Sequence, residues 1–252
     1  MALIQSAYAQ GVATLTLDSP ANRNALSQQL MSELLAALDQ AAADDSVRLV
    51  ELRHTGTVFC SGADLKETQA ATGDGMPVSR LGDILRAIAE HPKPVLAVVG
   101  GPARAGGLGL IAAADVAVCS ADAHFAFTEV RIGVVPAVIS AVVLSRITSR
   151  AAAELFLTGD VFGGVRAAEI GLVTKCVPAG ELEETARAYA ESLVLGGPEA
   201  MRATKLLLRE RPQGDAQLAA LSVHHFTSAE GREGVAAARE KRRPAWLTGI
   251  GG

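Results

Sequence analysis

A chain of 252 residues, 49% apolar and 20% charged, suits a soluble globular protein built as one large domain, or as a domain with an appendage. Its net charge of −4 argues against general nucleic-acid binding, though it leaves room for a local basic patch. The start, Met1-Ala2-Leu3-Ile4-Gln5-Ser6, has neither the basic nor the apolar region of a signal peptide, and the longest greasy stretch, Val134 to Leu144, is too short for a bilayer and contains Pro136.

Leu3 to Ala9 and the alternating Val12 to Leu17 predict two paired strands joined across Gln10-Gly11. Ser27 caps a predicted helix running to Ala43, with Leu30, Leu34, Leu35 and Leu38 on one stripe. Val47 to Arg53 reads as a strand. Thr68 to Pro77 is small, polar and Gly-containing, and reads as a mobile loop. Val78 to Glu90 reads as a helix ended by His91-Pro92, Pro94 to Val99 as a buried strand, Gly106 to Ala114 as a helix and Asp115 to Cys119 as a strand. Strands separated by helices imply parallel crossovers. After Val177 the pattern changes: Glu181 to Leu195, Pro198 to Arg211 and Ala216 to Arg239 all read as helices with no strand between. The expected organisation is an α/β core over residues 1–195 and a helical region over 196–252. Cys60, Cys119 and Cys176 are odd in number, far apart along the chain and set among apolar residues, which reads as reduced core thiols of a cytoplasmic protein.

Two small-residue segments and one glutamate carry the chemistry. The first is Phe59-Cys60-Ser61-Gly62-Ala63-Asp64-Leu65, and the second runs from Gly100 through Ala105-Gly106-Gly107 to Gly109. Each is expected to end a strand and open a helix, where backbone N–H groups lack an intrahelical partner. Two such groups aimed at one point can hold a negative oxygen. Glu129, in Phe127-Thr128-Glu129-Val130-Arg131-Ile132-Gly133, supplies a carboxylate to move protons beside them. Together these are the chemistry of a thioester enolate.

Other chemistries fail on spacing. No G-x-x-x-x-G-K-[ST] is present, and the glycine run does not match G-x-G-x-x-G at a strand–helix junction. Ser61 is not in a G-x-S-x-G turn, and Cys60 has no His at a recognisable spacing. His54, His91, His124, His224 and His225 form no metal-spaced pair, and His124 reads as a strand residue. Plainer alternatives stand for two features. Gly106-Gly107 also suits close approach of a helix to a strand, and Asp64 also suits a helix-start anion.

Ser19-Pro20-Ala21-Asn22-Arg23-Asn24-Ala25-Leu26, Phe59 to Lys66, Gly101 to Asp115, Thr128 to Pro136 and the tail from Glu233 to Pro244 form an ordered set over nearly the whole chain. In that set the chain resembles the crotonase, or enoyl-CoA hydratase/isomerase, superfamily. The resemblance implies an α/β fold, the crotonase (ClpP-like) β-β-α spiral, with two near-perpendicular sheets and a helical C-terminal region for trimerisation and active-site cover. It also implies a homotrimer or dimer of trimers. An acyl-CoA thioester is the implied substrate, with no separate cofactor, since coenzyme A is part of that substrate.

Carried over by position, the N–H groups of Ala63 and Gly106 are the oxyanion donors and Glu129 the catalytic carboxylate. Ser61, Ala63, Asp64, Leu65, Lys66, Gly106 and Gly107 fall along the acyl-CoA, and Arg23 and Ala25 near its CoA moiety. Lys241 falls where a CoA phosphate is met, against the alternative of a solvated basic tail of Arg239, Lys241, Arg242 and Arg243.

The chain departs from the resemblance at two positions. Many hydratases of the family carry two glutamates, and the first of them falls at Gly109; the family's double-bond isomerases often work with one. The run from Glu129 to Ser140 is similar to that of bacterial 3-methylglutaconyl-CoA hydratase-like members. Ala238 stands where a Phe often covers the adenine. Three readings follow: a single-glutamate enoyl-CoA hydratase, an enoyl-CoA isomerase and a non-catalytic CoA-thioester-binding homologue. A hydratase is expected to hold water or another polar group in the space at Gly109. Pocket walls are expected from Thr68 to Pro77 and from residues after Val130. Arg104 reads either as a receiver for a carboxylate at the far end of the acyl group or as a surface or subunit-contact residue.

Overall fold

In the computed structural model, which describes residues 2–70, 77–211 and 214–248, the chain opens with the expected hairpin. β1 (Ile4–Ala9) runs antiparallel to β2 (Val12–Leu17), and Gln10 and Gly11 take φ of 50° and 80°, the positive pair of a two-residue turn that follows the strand twist. Ser27 Oγ accepts the Leu30 N–H at 3.2 Å and starts α1 (Gln28–Ala43), which buries Leu30, Leu34 and Leu38. β3 (Leu49–His54), α2 (Leu65–Ala70), α3 (Pro77–Ala89) and β4 (Val95–Val99) follow. Next come β5 (Ala103–Arg104), α4 (Gly106–Ala113), β6 (Val116–Ser120) and β7 (His124–Ala126). The core closes with α5 (Ala137–Val143), α6 (Ser149–Thr158), β8 (Phe162–Gly163), α7 (Gly164–Glu169) and β9 (Lys175–Val177).

One sheet has the order β1-β2-β3-β4-β6-β9, parallel after its first pair; the other has the order β5-β7-β8. β4 is buried along its whole length because helices cover both its faces. Val95, Ala97 and Val99 join the main core with α1, α3 and α4. Leu96 and Val98 pack with Leu182, Ala186, Ala190 and Val194 of α8 (Leu182–Val194).

Three expectations are corrected. The predicted helix over Ala216–Arg239 is two helices, α10 (Asp215–Thr227) and α11 (Ala229–Glu240), because Ser228 leaves helical geometry (ψ 165°) and caps the second with its Oγ on the Gly231 N–H. The predicted loop from Thr68 begins as helix, since Thr68 and Ala70 belong to α2; residues 71–76 lie outside the described residues. The first small-residue segment forms single bridges, Cys60 to Ala103 and Leu26 to Ala63, rather than a strand. Cys119 and Cys176, distant in sequence, are cross-strand partners in β6 and β9, and both are free thiols.

α9 (Pro198–Glu210) docks on the core through a buried charge. Lys205 Nζ meets Asp115 Oδ2 at 2.7 Å and the carbonyls of Ile88 and Lys93 at 3.2 Å. Burial pushes the Lys205 pKa down against the pull of Asp115. Among the described residues no helix is long and apolar enough to cross a membrane. Lys205→Met removes the cation but keeps the stem, leaving Asp115 with the Val95 N–H as its hydrogen-bond donor among the described residues. We expect a loss of roughly 2–4 kcal/mol in urea unfolding; a loss below about 1 kcal/mol would show that the pair contributes little beyond an exposed one.

Candidate active site

The two small-residue segments lie against each other, and the contact is backbone on backbone. Gly62 has φ +91°, and a methyl group there would stand 3.0 Å from Ala105 Cβ, 3.1 Å from Arg104 O and 3.6 Å from Gly106 N. A methyl on Gly107 would stand 2.7 Å from Cys60 O. Only glycine permits the chain direction at the first position, and only glycine leaves space at the second. The helix-approach reading of Gly107 therefore holds, and Gly107 lies behind the cavity rather than in its lining.

This contact orients two donors. The Leu26 N–H donates to Gly62 O at 2.8 Å, and the Asp64 N–H reaches Leu26 O at 3.5 Å. In such a parallel bridge the intervening residue, Ala63, turns its own N–H to the opposite side. Ala105 takes φ 47° and ψ −118°, a conformation that costs an L-residue about 1–3 kcal/mol. That kink ends β5 and begins α4, so the Gly106 N–H is the first of the helix and has no partner within it.

Glu129 reaches the same cavity from the other side. Phe127 anchors its approach, fully buried and 4.5 Å from Phe156 ring to ring. A single 3₁₀ turn, Glu129–Ile132, then closes on Gly133 at φ 73°. Arg131 pairs with Asp160 at 2.7 Å and packs on Gly159, which fastens the turn to the end of α6. Oε2 of Glu129 is buried without a hydrogen-bond partner among the described residues, and burial raises the pKa of the carboxyl. It is the carboxylate in the cavity with an acid–base character to offer.

The other polar groups sort themselves by their partners. Asp64 accepts the N–H groups of Lys66 and Glu67 at 2.9 and 3.2 Å and the Asn22 amide at 2.7 Å. Burial opposes its charge, but those donors outweigh it and hold the carboxyl below its ordinary range, so Asp64 is a helix-start anion. Burial pushes the Cys60 thiol up to about 12, which removes it as a nucleophile. Arg104 donates to Ala103 O and His124 O and is not in the lining, so it meets no acyl carboxylate there.

The cavity between these elements holds about 400 Å³. Arg23, Ala25, Ser61, Ala63, Asp64 and Leu65 line it, together with Lys66, Gly106 and Glu129. Lys241, the αL residue that ends α11, is not part of it. The apolar wall comes from Leu81 of α3 and from Ile132, Val134, Val135, Val138 and Ile139, as expected of residues after Val130. At Gly109 the expectation of water or a polar group is overturned. A methyl there would meet Ile139 Cγ2 at 2.9 Å and Leu85 Cδ2 at 3.1 Å, so two apolar side chains fill the space. A second cavity of about 500 Å³ lies among α9, α10 and α11, but its Glu230 already accepts the N–H groups of Glu199 and Ala200.

Sequence reasoning missed the strained Ala105, the Asn22 contact to Asp64 and the apolar filling at Gly109. None has a local signature, since each depends on which segments meet.

A family model described as enoyl-CoA hydratase/isomerase matches residues 7–249. A Thermus thermophilus relative, classed by its name with the enoyl-CoA hydratases, is 36% identical over 92% of this chain and 96% of its own. Enoyl-CoA hydratase EchA19 of Mycobacterium tuberculosis is 34% identical over 91% of each chain. The crystal structure of an enoyl-CoA hydratase from Mycobacterium smegmatis superimposes with a TM-score of 0.90 at 32% identity, covering 97% of this chain and 98% of that one. These likenesses extend over the whole α/β core and the C-terminal helices, and on them the chain belongs to the enoyl-CoA hydratase/isomerase family, with the crotonase fold.

Proposed function

We propose that the chain is an enoyl-CoA hydratase that adds water across the 2,3 double bond of an acyl-CoA thioester with a single glutamate. The observation that carries the reading is the desolvated Oε2 of Glu129, unpartnered among the described residues, in a cavity that Ala63 and Gly106 also line. The thioester oxygen sits between the two donors. Glu129 takes a proton from water as the water oxygen bonds to C3. The double-bond electrons move onto the thioester as an enolate, and the proton then returns to C2. Each well-placed donor is worth about 3–4 kcal/mol to the developing oxyanion. The base contributes roughly 10²–10⁴ in rate. The reaction as written uses no metal or redox group. Exposed Arg23 and Lys66 suit the CoA phosphates at the cavity's rim. A homotrimer or dimer of trimers in the cytoplasm goes with this reading, supported by exposed Val223 and Phe226 on α10 and by three free cysteines.

The apolar filling at Gly109 favours a second reading, double-bond isomerisation. Leu85 and Ile139 keep that side of the cavity free of a second carboxylate to hold water. The same Glu129 would then remove a proton from one carbon and return it to another. Turnover of 2-enoyl and 3-enoyl thioesters separates the two. We expect hydroxyacyl-CoA from the 2-enoyl substrate; only isobaric product from the 3-enoyl substrate, with no hydration of the 2-enoyl, would establish the isomerase instead. No turnover of either would leave thioester binding as the activity.

The Glu129 carboxyl also sets a trade between stability and rate. Its raised pKa means that the folded protein holds this proton more tightly than the unfolded chain does. Stability is therefore lost as pH rises from the ordinary carboxylate range through the raised value. Glu129→Gln should unfold at a higher temperature than the parent at neutral pH and lose at least about 10²-fold in kcat, with thioester affinity little changed. In the parent, kcat/KM should rise with pH through an apparent pKa above the ordinary carboxylate value of about 4.3. A fully active Glu129→Gln would mean that the carboxylate is not the base, and one less stable than the parent that burial does not strain it.

A further inference from the structure

Asn24 is fully buried, takes φ +51° and does not itself line the cavity, though its chain neighbours Arg23 and Ala25 do. Its amide nevertheless spends three hydrogen bonds on the backbone around the cavity. Nδ2 donates to Thr55 O at 3.0 Å and Val58 O at 2.8 Å, and Oδ1 accepts the Ser19 N–H at 2.7 Å. Two carbonyls on one side and an N–H on the other fix which atom is nitrogen. The amide thus ties the turn Ser19–Leu26 to the loop that leads from β3 into the first small-residue segment. On one side of the clamp, Arg23 O accepts the Ser61 N–H at 3.1 Å and Leu26 donates to Gly62 O. On the other, Phe59, next to Val58, donates to Pro102 O at 3.0 Å and joins the second segment. Of these, the Leu26 bond belongs to the bridge that, by the geometry of a parallel ladder, turns the Ala63 N–H away from Leu26.

We infer that Asn24 is a positioning residue for the Ala63 oxyanion donor, holding the two loops at the spacing that aims this N–H. The inference rests on reading the cavity as a thioester site. An asparagine suits the place twice, because it tolerates the left-handed backbone and offers two donors and an acceptor from one planar group. Aspartate has the same shape but would set oxygen against the Thr55 and Val58 carbonyls. Glycine keeps the backbone conformation and removes the clamp.

The test is Asn24→Gly and Asn24→Asp, each checked for folding by circular dichroism. Each is assayed for kcat and KM on a 2-enoyl-CoA and for the absorbance shift of a bound conjugated dienoyl-CoA. That red shift reports polarisation of the thioester carbonyl by the two donors, which a residue serving only the fold would leave alone. We expect a diminished red shift and a fall in kcat of roughly 10- to 100-fold, the scale of a small misplacement of a catalytic group. KM should stay within about threefold, since the donor acts mainly on developing charge. A folded variant with the parent's red shift and kcat within about twofold would overturn the inference alone. A parent protein that does not shift the dienoyl-CoA at all would overturn the thioester reading, and this inference with it.

Discussion

The close backbone contact between Gly62 and the Ala105–Gly106 turn governs the spacing of everything else in the cavity. A side chain at Gly62 or Gly107 would force the two segments apart, by collision with Arg104 O and Ala105 in one case and with Cys60 O in the other. Neighbouring bonds then do the aiming. The bridge to Leu26 rotates Ala63 outward, and the strained Ala105 turns the chain so that α4 begins with its first N–H free. Donors built from backbone need no reorganisation when charge develops. They demand instead that the surrounding chain be held rigidly, and the buried amide and carboxylate groups of Asn24 and Asp64 supply that hold.

Glu129 shows the converse arrangement. Its turn is fixed from outside, by Phe127 in the core and by Arg131 against α6, while its Oε2 has no partner among the described residues. A partnered carboxylate, such as Asp64, is held ionised and does no proton work near neutral pH. A desolvated one exchanges its proton more readily. The two acids in one cavity are thus separated in role by burial of the one and hydrogen bonds to the other. At Gly109 the apolar side chains of Leu85 and Ile139 occupy the space that a second carboxylate would need.

Much of this was legible in the sequence where local rules act. The hairpin at Gln10-Gly11, the Ser27 cap and the parallel alternation of strands and helices follow from turn, capping and periodicity rules, and the structure agrees. The ordered motifs, by resemblance, placed Ala63, Gly106 and Glu129 together, and they do line one cavity. What could not be read depends on long-range contact. The break at Ser228 is the exception, since Thr227-Ser228 ahead of Ala229-Glu230 is a local N-cap signal that the apolar periodicity of the segment masked. The space at Gly109 is set by Leu85 and Ile139, which come from two other helices, so a missing carboxylate in the sequence gave no sign of what stands in its place. Gly107 and Arg104 stand beside cavity residues in sequence, yet they face Cys60 and the β7 strand.

The most direct measurement is a crystal structure of Glu129→Gln with a 2-enoyl-CoA bound. The account requires the thioester oxygen at about 3 Å from both the Ala63 and Gly106 nitrogens, with the reacting carbons beside the side chain at position 129. A thioester oxygen turned away from these nitrogens, or an acyl group seated in the cavity among α9, α10 and α11, would contradict it.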